Sequence, residues 1–203
     1  MKLIVLGLNH RSAPVNVREV FSFDKTEISE AINHVYEHEQ VAECVLLSTC
    51  NRTELYAVLE DVENPKEFML HLLQHLKGVE DMTIEDDWFF MYEGRDLLAH
   101  LFNVASSLDS LVLGEGQILS QLKIAYISAY SRGLTGPIFN IIFQRAISVG
   151  KKVRTVTGIA NTPVSVSYAA VNLAEDCLTK PMSEAKVLVL GAGEMSDLPA
   201  PHL

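Results

Sequence analysis

Cys50 is the residue best placed to do chemistry. It stands in the segment S-T-C-N-R-T-E, directly after an apolar run that reads as a strand. A strand-to-loop turn can expose a side chain, and the thiolate is the reactive form of cysteine. Arg52, two residues on, can favour that form electrostatically, while Thr49 and Asn51 can donate hydrogen bonds to a substrate carbonyl. The competing reading is the ordinary one for a free cysteine, a small buried hydrophobe. Cys44 and Cys177 lie within apolar strand or helix patterns and take that ordinary reading.

A second candidate is V-L-V-L-G-A-G-E-M-S, residues 187–196. A strand running into a glycine turn and a helix start opens a dinucleotide-binding unit, with the backbone approaching a pyrophosphate at the helix N-terminus. Ser196 stands where a third glycine or alanine is usual. Only the 13 residues 191–203 follow the strand, and a βαβ unit takes about 30. The acidic residue that holds the ribose, about 20 positions on, has no place here. Pro199 and Pro201 fall where the helix should continue, and interior prolines break helices. The expectation is an incomplete cofactor site.

The remaining candidates are polar residues set in apolar surroundings. L-D-S-L-V-L-G-E-G-Q-I-L-S-Q, residues 108–121, places Glu115-Gly116-Gln117 at a polar turn before a helix. It reads either as a helix connection or as recognition of a substrate's amine or carboxylate. His100, among Leu98, Leu101 and Phe102, reads as a hydrogen-bonded, half-buried histidine before it reads as a base. His34 and His38 are four apart, as are His71 and His75, but Val35 and Leu72 stand where a metalloprotease helix needs glutamate. No CxxC occurs, so no metal site is expected. Arg145, Lys151, Lys152 and Arg154 form the one basic concentration, read as a solvated helix face with an RNA phosphate contact as the alternative.

These residues must be positioned by a globular core. The 203 residues are 48% hydrophobic and 21% charged, which excludes a disordered chain. The net charge of −10 argues against nonspecific nucleic-acid binding, which runs on phosphate neutralisation. Three scattered cysteines make no disulfide framework, and the N-terminus lacks the pattern of a signal peptide. The longest uncharged stretch, 155–174, contains Pro163, Asn161, Asn172 and several Ser and Thr, so it does not read as a membrane span. A soluble cytoplasmic protein is expected.

Periodicity predicts strands over 2–9, 43–48, 53–60 and 88–92, with helices over 25–39 and from Asn64 to Gly78. Asp24 and Glu27 have capping-box spacing, and Asn64-Pro65 is a helix start. Leu55, Ala57 and Leu59 should share one strand face, Tyr56 and Val58 the other. The order strand, helix, strand, strand, helix, strand is that of a ferredoxin-like, split βαβ α+β fold. Helices follow at about 97–105, 119–133, 137–154 and 164–178, then a strand at 186–190. The expected organisation is a domain over 1–155, α+β to residue 93 and helical over 94–155. Residues 156–203 would begin an incomplete Rossmann-type α/β domain.

Long segments of the chain resemble the glutamyl-tRNA reductase family. They are GLNHRSAPVNVRE at 7–19, LLSTCNRTELY at 46–56, HLFNVASSLDSLVLGEGQILSQ at 100–121, VGKKVRTVTGI at 149–159, VSVSYAAV at 164–171 and VLVLGAGEM at 187–195. The resemblance implies that Cys50 attacks the ester of glutamyl-tRNA and forms a thioester. NADPH would then reduce the thioester to glutamate-1-semialdehyde, the first step of five-carbon tetrapyrrole (porphyrin, haem) biosynthesis. It places substrate contacts on Thr49, Asn51, Arg52, Ser110, Glu115, Gly116, Gln117 and Gln121, with Arg52 suited to the substrate's side-chain carboxylate. An activity-linked histidine, acid-base or orienting, falls on His100. The NADPH phosphate loop falls on Gly191, Ala192, Gly193, Glu194, Met195 and Ser196. It also implies a homodimer in the intact family and glutamate-1-semialdehyde aminomutase as a partner. The chain is expected to be truncated relative to the family, keeping acyl-transfer or esterase capacity without reductase competence. A noncatalytic RNA-binding α+β module is the alternative, although no basic aromatic strand of the K/R-G-F-G-F-V type occurs.

Overall fold

A computed structural model of the chain describes residues 1–159, 173–178, 184–186 and 188. Its elements, in order, are β1 (Lys2–Asn9), α1 (Val15–Val20), α2 (Lys25–Tyr36), β2 (Val41–Ser48), β3 (Arg52–Leu59), α3 (Pro65–Lys77), β4 (Phe90–Glu93), α4 (Gly94–Ala105), α5 (Gln117–Ser131) and α6 (Pro137–Thr157). The four strands form one antiparallel sheet in the order β2-β3-β1-β4. Because β1 and β2 are each antiparallel to β3, they run parallel to one another with β3 between them.

Helices cover both faces of this sheet. Cys44 on β2 contacts the Ile32 carbonyl of α2 and pairs in register with Ala57 on β3, so the face bearing Leu55, Ala57 and Leu59 looks toward α2. Tyr56 on β3 meets Phe143 of α6 edge to face at 5.3 Å, and Glu54 reaches His100 on α4. The Arg52-Glu54-Tyr56-Val58 face therefore looks toward the C-terminal helices. Every residue of β3 is buried, as a strand enclosed on both faces must be. The alternation expected for this strand is the one found.

The helix ends follow local chemistry. Asp24 accepts from the Thr26 and Glu27 amides at 2.7 and 2.9 Å, and Glu27 accepts from the Asp24 amide at 2.9 Å. This is the reciprocal capping box. Asn64 caps α3 and Gly78 ends it in the left-handed conformation, at φ 62°. α6 is capped from far away: the Ile138 and Phe139 amides donate to the Glu43 carboxyl on β2 at 3.0 and 2.7 Å. Gly136 permits this approach, since a Cβ there would lie 2.8 Å from Glu43 Oε1.

Several boundaries differ from expectation. The short helix α1 was not anticipated; it buries only Val17, too little to leave a periodic stripe. α2 stops at Tyr36, α4 begins at Gly94, and α6 runs to Thr157, two residues past the boundary expected at 155. The expected helix 164–178 is described only over 173–178, where 173–177 are helical. Of the expected strand 186–190 only Lys186 and Leu188 are described, and neither is in a strand. The Gly191–Ser196 loop, Pro199 and Pro201 lie outside the described residues. Among the described residues no helix is long and apolar enough to cross a membrane.

Candidate functional site

Cys50 sits at the tip of the turn between β2 and β3, exposed. Thr49 locks this turn: its amide donates to the Arg52 carbonyl at 2.8 Å, and its hydroxyl accepts from the Asn51 and Arg52 amides at 3.2 Å each. The loop after β1 braces it from outside, with the His10 amide donating to the Asn51 carbonyl at 3.0 Å. Arg18 of α1 donates to the Cys50 carbonyl at 3.2 Å and to Asn51 Oδ1 at 3.1 Å. The thiol is thus carried on a fixed backbone whose carbonyls are already engaged. Cys44 differs sharply. It is fully buried, and burial pushes its thiol up to about 12. Cys177, expected to be buried, is exposed.

Behind the turn runs a chain of buried charges. Arg52, 2% exposed, donates through Nη1 to Glu54 Oε1 at 2.6 Å and through Nη2 to Asp109, at Oδ2 over 3.1 Å and also at the carbonyl. His100 Nε2 lies 3.0 Å from the same Glu54 oxygen, and the Tyr56 hydroxyl donates to the other at 2.5 Å. Arg11 pairs with Asp109 from the surface at 2.9 Å. Burial alone would raise the Glu54 carboxyl, but the charges of Arg52 and His100 and the hydrogen bonds from His100 and Tyr56 outweigh it and hold the group at about 2. Glu54 and Asp109 in turn keep the Arg52 guanidinium charged despite its burial. Gly7 makes the arrangement possible: it pairs with Glu54 across the sheet, and a Cβ there would stand 2.8 Å from Glu54 Cγ and 2.9 Å from Phe90 Cζ.

Seven of the expected site residues line one small cavity: Thr49, Cys50, Asn51, Arg52, Ser110, Glu115 and Gln121, together with Leu111 and Ile118. Burial raises the Glu115 carboxyl, and Arg52 opposes the shift. The cavity holds about 20 Å³, room for one water and no more. Gly116 and Gln117 stand outside the lining, at the start of α5. His100 is also outside it; it lines a neighbouring cavity with Phe90 and Tyr92.

The segment between α4 and α5 is held by a residue that sequence reading placed elsewhere. Arg154, taken as part of a solvated basic face, turns inward from α6 and donates to Ser107 Oγ and the Glu115 carbonyl at 2.8 Å each, and to the Gly116 carbonyl at 2.9 Å. Its burial lowers the guanidinium pKa. Ser107, at φ 62°, also donates to the Glu115 carbonyl at 2.8 Å, and its own carbonyl accepts from the Gly114 amide. Glu54, Asp109, Arg18 and His10 were likewise not anticipated as site residues. His10 has its pKa lowered by burial and then by Arg52, Arg11 and Arg18, and its Nδ1 is buried with no hydrogen-bond partner among the described residues. One signal for part of this network was present: residues 52 and 54 of a strand share a face, so Arg52 and Glu54 are a same-face ion pair.

The paired histidines form no metal centre among the described residues, where no group of three His, Cys, Asp or Glu is placed to hold an ion. His34 pairs with Glu37 at 3.6 Å and His75 with Glu80 at 2.8 Å, both on exposed flanks.

The family model for the N-terminal domain of glutamyl-tRNAGlu reductase matches residues 6–157, which hold the turn, the charge chain and the whole cavity lining. The chain belongs to the glutamyl-tRNA reductase family. It is 44% identical over 203 residues to the glutamyl-tRNA reductase of Carboxydothermus hydrogenoformans, covering all of this chain and 45% of the relative. The glutamyl-tRNA reductase of Pseudoalteromonas translucida is 43% identical, with all of this chain and 48% of the relative covered. Among solved structures, the glutamyl-tRNA reductase of Methanopyrus kandleri matches with a TM-score of 0.67 at 36% identity, over 98% of this chain and 45% of that one. The chain spans about half the length of the curated relatives it matches.

Proposed function

We propose that this chain performs the acyl-transfer half of glutamyl-tRNA reduction, with Cys50 as nucleophile. The Cys50 thiolate attacks the ester carbonyl joining glutamate to the terminal ribose. A carbon–sulfur bond forms, the ester carbon–oxygen bond breaks, and the ribose oxygen leaves with a proton. The glutamyl group remains as a thioester on Cys50. NADPH, when bound, supplies the hydride that converts such a thioester to glutamate-1-semialdehyde. The residues assigned to its phosphates, Gly191 to Ser196, lie outside the described residues; the activity proposed for the described part is acyl transfer and slow hydrolysis of the thioester.

The observation that carries this reading is the exposed thiol at the tip of a braced turn, sharing a cavity with Arg52, Ser110, Glu115 and Gln121. Arg52 meets a substrate carboxylate from the cavity it lines, with N–H donors beyond those that bond Glu54 and Asp109. Ser110, Glu115 and Gln121 supply the polar groups that orient the glutamyl moiety. His100 acts from the next cavity by orienting: it is tied to Glu54, which is tied to Arg52. At about 20 Å³ the cavity is smaller than a glutamyl group, so binding requires its lining to open. We read the sheet order, with β3 between parallel β1 and β2, as the ferredoxin-like arrangement. The RNA-binding alternative has less support, since such modules stack bases on an open sheet face and here helices cover both.

Intact-mass analysis of the chain mixed with glutamyl-tRNA, without NADPH, tests the proposal. A glutamyl adduct is expected on the parent and none on Cys50→Ser. No adduct on the parent, with tRNA bound, would overturn autonomous acyl transfer. Semialdehyde formed by this chain with NADPH would overturn the restriction to acyl transfer.

A further inference from the structure

Residues 106–116, between α4 and α5, bring Ser110, Leu111 and Glu115 to the Cys50 cavity without a helix or strand of their own. Such a segment presents its side chains at fixed positions only where it is tied down. One tie is Asp109, held by Arg52 and Arg11. The other is Arg154, near the end of α6. Among the described residues, every hydrogen bond of its guanidinium goes to this segment: to Ser107 Oγ, the Glu115 carbonyl and the Gly116 carbonyl. One side chain thereby joins the two ends of the segment. Ser107 stands in the left-handed region, at φ 62°, a conformation that a residue with a Cβ keeps only where its surroundings impose it. Here its hydroxyl imposes it, donating to the Glu115 carbonyl and accepting from Arg154.

Support of α5 does not explain this arrangement. α5 begins at Gln117, directly after two of the carbonyls that Arg154 holds, and a cation beside a helix N-terminus opposes the helix dipole. The approach of α6 is also built in. Gly150 lies one turn before Arg154 on the same face, and a Cβ there would stand 2.9 Å from the Ala105 carbonyl carbon and 3.1 Å from Leu119 Cδ1. Arg154 itself does not line the Cys50 cavity, so it acts there through the segment it holds. We propose that Arg154 is a positioning residue: it fixes residues 107–116 so that Ser110 and Glu115 orient the glutamyl group for transfer to Cys50. The kinetic part of this assignment rests on the proposed acyl transfer. A lysine would keep the charge but lacks the planar fork that reaches both ends of the segment at once.

Arg154→Lys tests it in the full chain, with Lys152→Ala, an exposed cation two residues away, as the control. Three quantities are read: glutamyl adduct formation over a range of glutamyl-tRNA concentrations, iodoacetamide labelling of Cys50, and hydrogen exchange of the Gly114 and Glu115 amides, which bond the Ser107 and Val112 carbonyls. In Arg154→Lys both amides should exchange faster. The maximal adduct rate should fall roughly tenfold to a hundredfold, the loss that follows a small misplacement of orienting groups. The half-saturating concentration, the labelling rate and the melting temperature should stay as in the parent, and Lys152→Ala should match the parent throughout. Ser107→Ala removes one of the three acceptors and should move exchange and maximal rate in the same direction by less; it decides the matter if Arg154→Lys does not fold. An unchanged maximal rate overturns the assignment, as does a loss that labelling or Lys152→Ala shares in equal measure. Absence of any adduct on the parent sinks the nucleophile and leaves exchange to decide whether Arg154 holds the segment. Unchanged exchange then overturns that as well.

Discussion

Cys44 and Cys50 belong to one short stretch of chain, yet their surroundings have little in common. Cys44 lies on the sheet face that packs against α2, with its Sγ at the Ile32 carbonyl, and its thiol is pushed up to about 12. Cys50 lies just past the strand's end, held by Thr49, His10 and Arg18 and open to a polar cavity. The contrast extends to the two faces of β3. One carries Leu55, Ala57 and Leu59 into an apolar layer. The other carries Arg52, Glu54 and Tyr56 into a chain of paired charges. A thiol's reactivity here is set by where the hairpin ends, and the two faces of β3 differ in what a disturbance breaks.

The largest expected effect is on the cysteines themselves. Cys50→Ser should abolish the glutamyl adduct in intact-mass analysis, and Cys44→Ala should leave it. At pH 8 a thiol with a pKa near 12 is about one part in ten thousand thiolate. Iodoacetamide should accordingly label Cys50 in the folded chain and spare Cys44 until the chain is unfolded. Equal labelling of the two would erase the contrast.

Next comes the charged face. Glu54→Ala leaves Arg52 buried without its partner, and breaking such a pair costs about 3–5 kcal/mol, to be read from urea unfolding. Its pH signature has a defined sign. The folded carboxyl is held at about 2 against an ordinary value of 4.5. Its contribution, roughly 3 kcal/mol, is therefore complete above pH 4.5 and lost as pH falls toward 2. Glu54→Gln should remove that acid limb. An unchanged limb in the variant would mean that Glu54 is not the group responsible.

A smaller effect is expected at Gly7. The added Cβ of Gly7→Ala meets Glu54 Cγ at 2.8 Å and the Thr53 carbonyl at 2.9 Å, and overpacking of this kind costs about 1–3 kcal/mol. Because the strain falls on Glu54, adduct formation should slow as well. The smallest belongs to the apolar side: Asp24→Ala removes the capping box of α2 at about 1 kcal/mol, with the adduct rate unchanged. A comparable loss of adduct rate in both variants would show that the two faces are not separable.

Much of the fold could be read locally. The capping box at Asp24, the Asn64-Pro65 start, the Gly78 end and the alternation along β3 depend on neighbours in sequence, and each is found. Cys50 was legible for the same reason, as a polar break at a strand's end. α1 was not, because a helix burying one side chain leaves no stripe. Arg154 was misplaced because its neighbours Lys151 and Lys152 are basic and exposed, and only tertiary structure shows which of them points inward. The charge chain spans residues 52 to 109. Periodicity tells which side of a strand is buried; it does not tell what meets it there.

The long-range cap of α6 bears on how the chain assembles as it is synthesised. The four strands are complete once Glu93 has been added, but Glu43 is buried beneath a helix that begins only at Pro137. Until Ile138 and Phe139 leave the ribosome, this acidic side chain has to remain hydrated, and the edge of the sheet around β2 stays open with it. The bonds that close it span 95 and 96 residues, so this part of the nascent chain seals late, when α6 arrives.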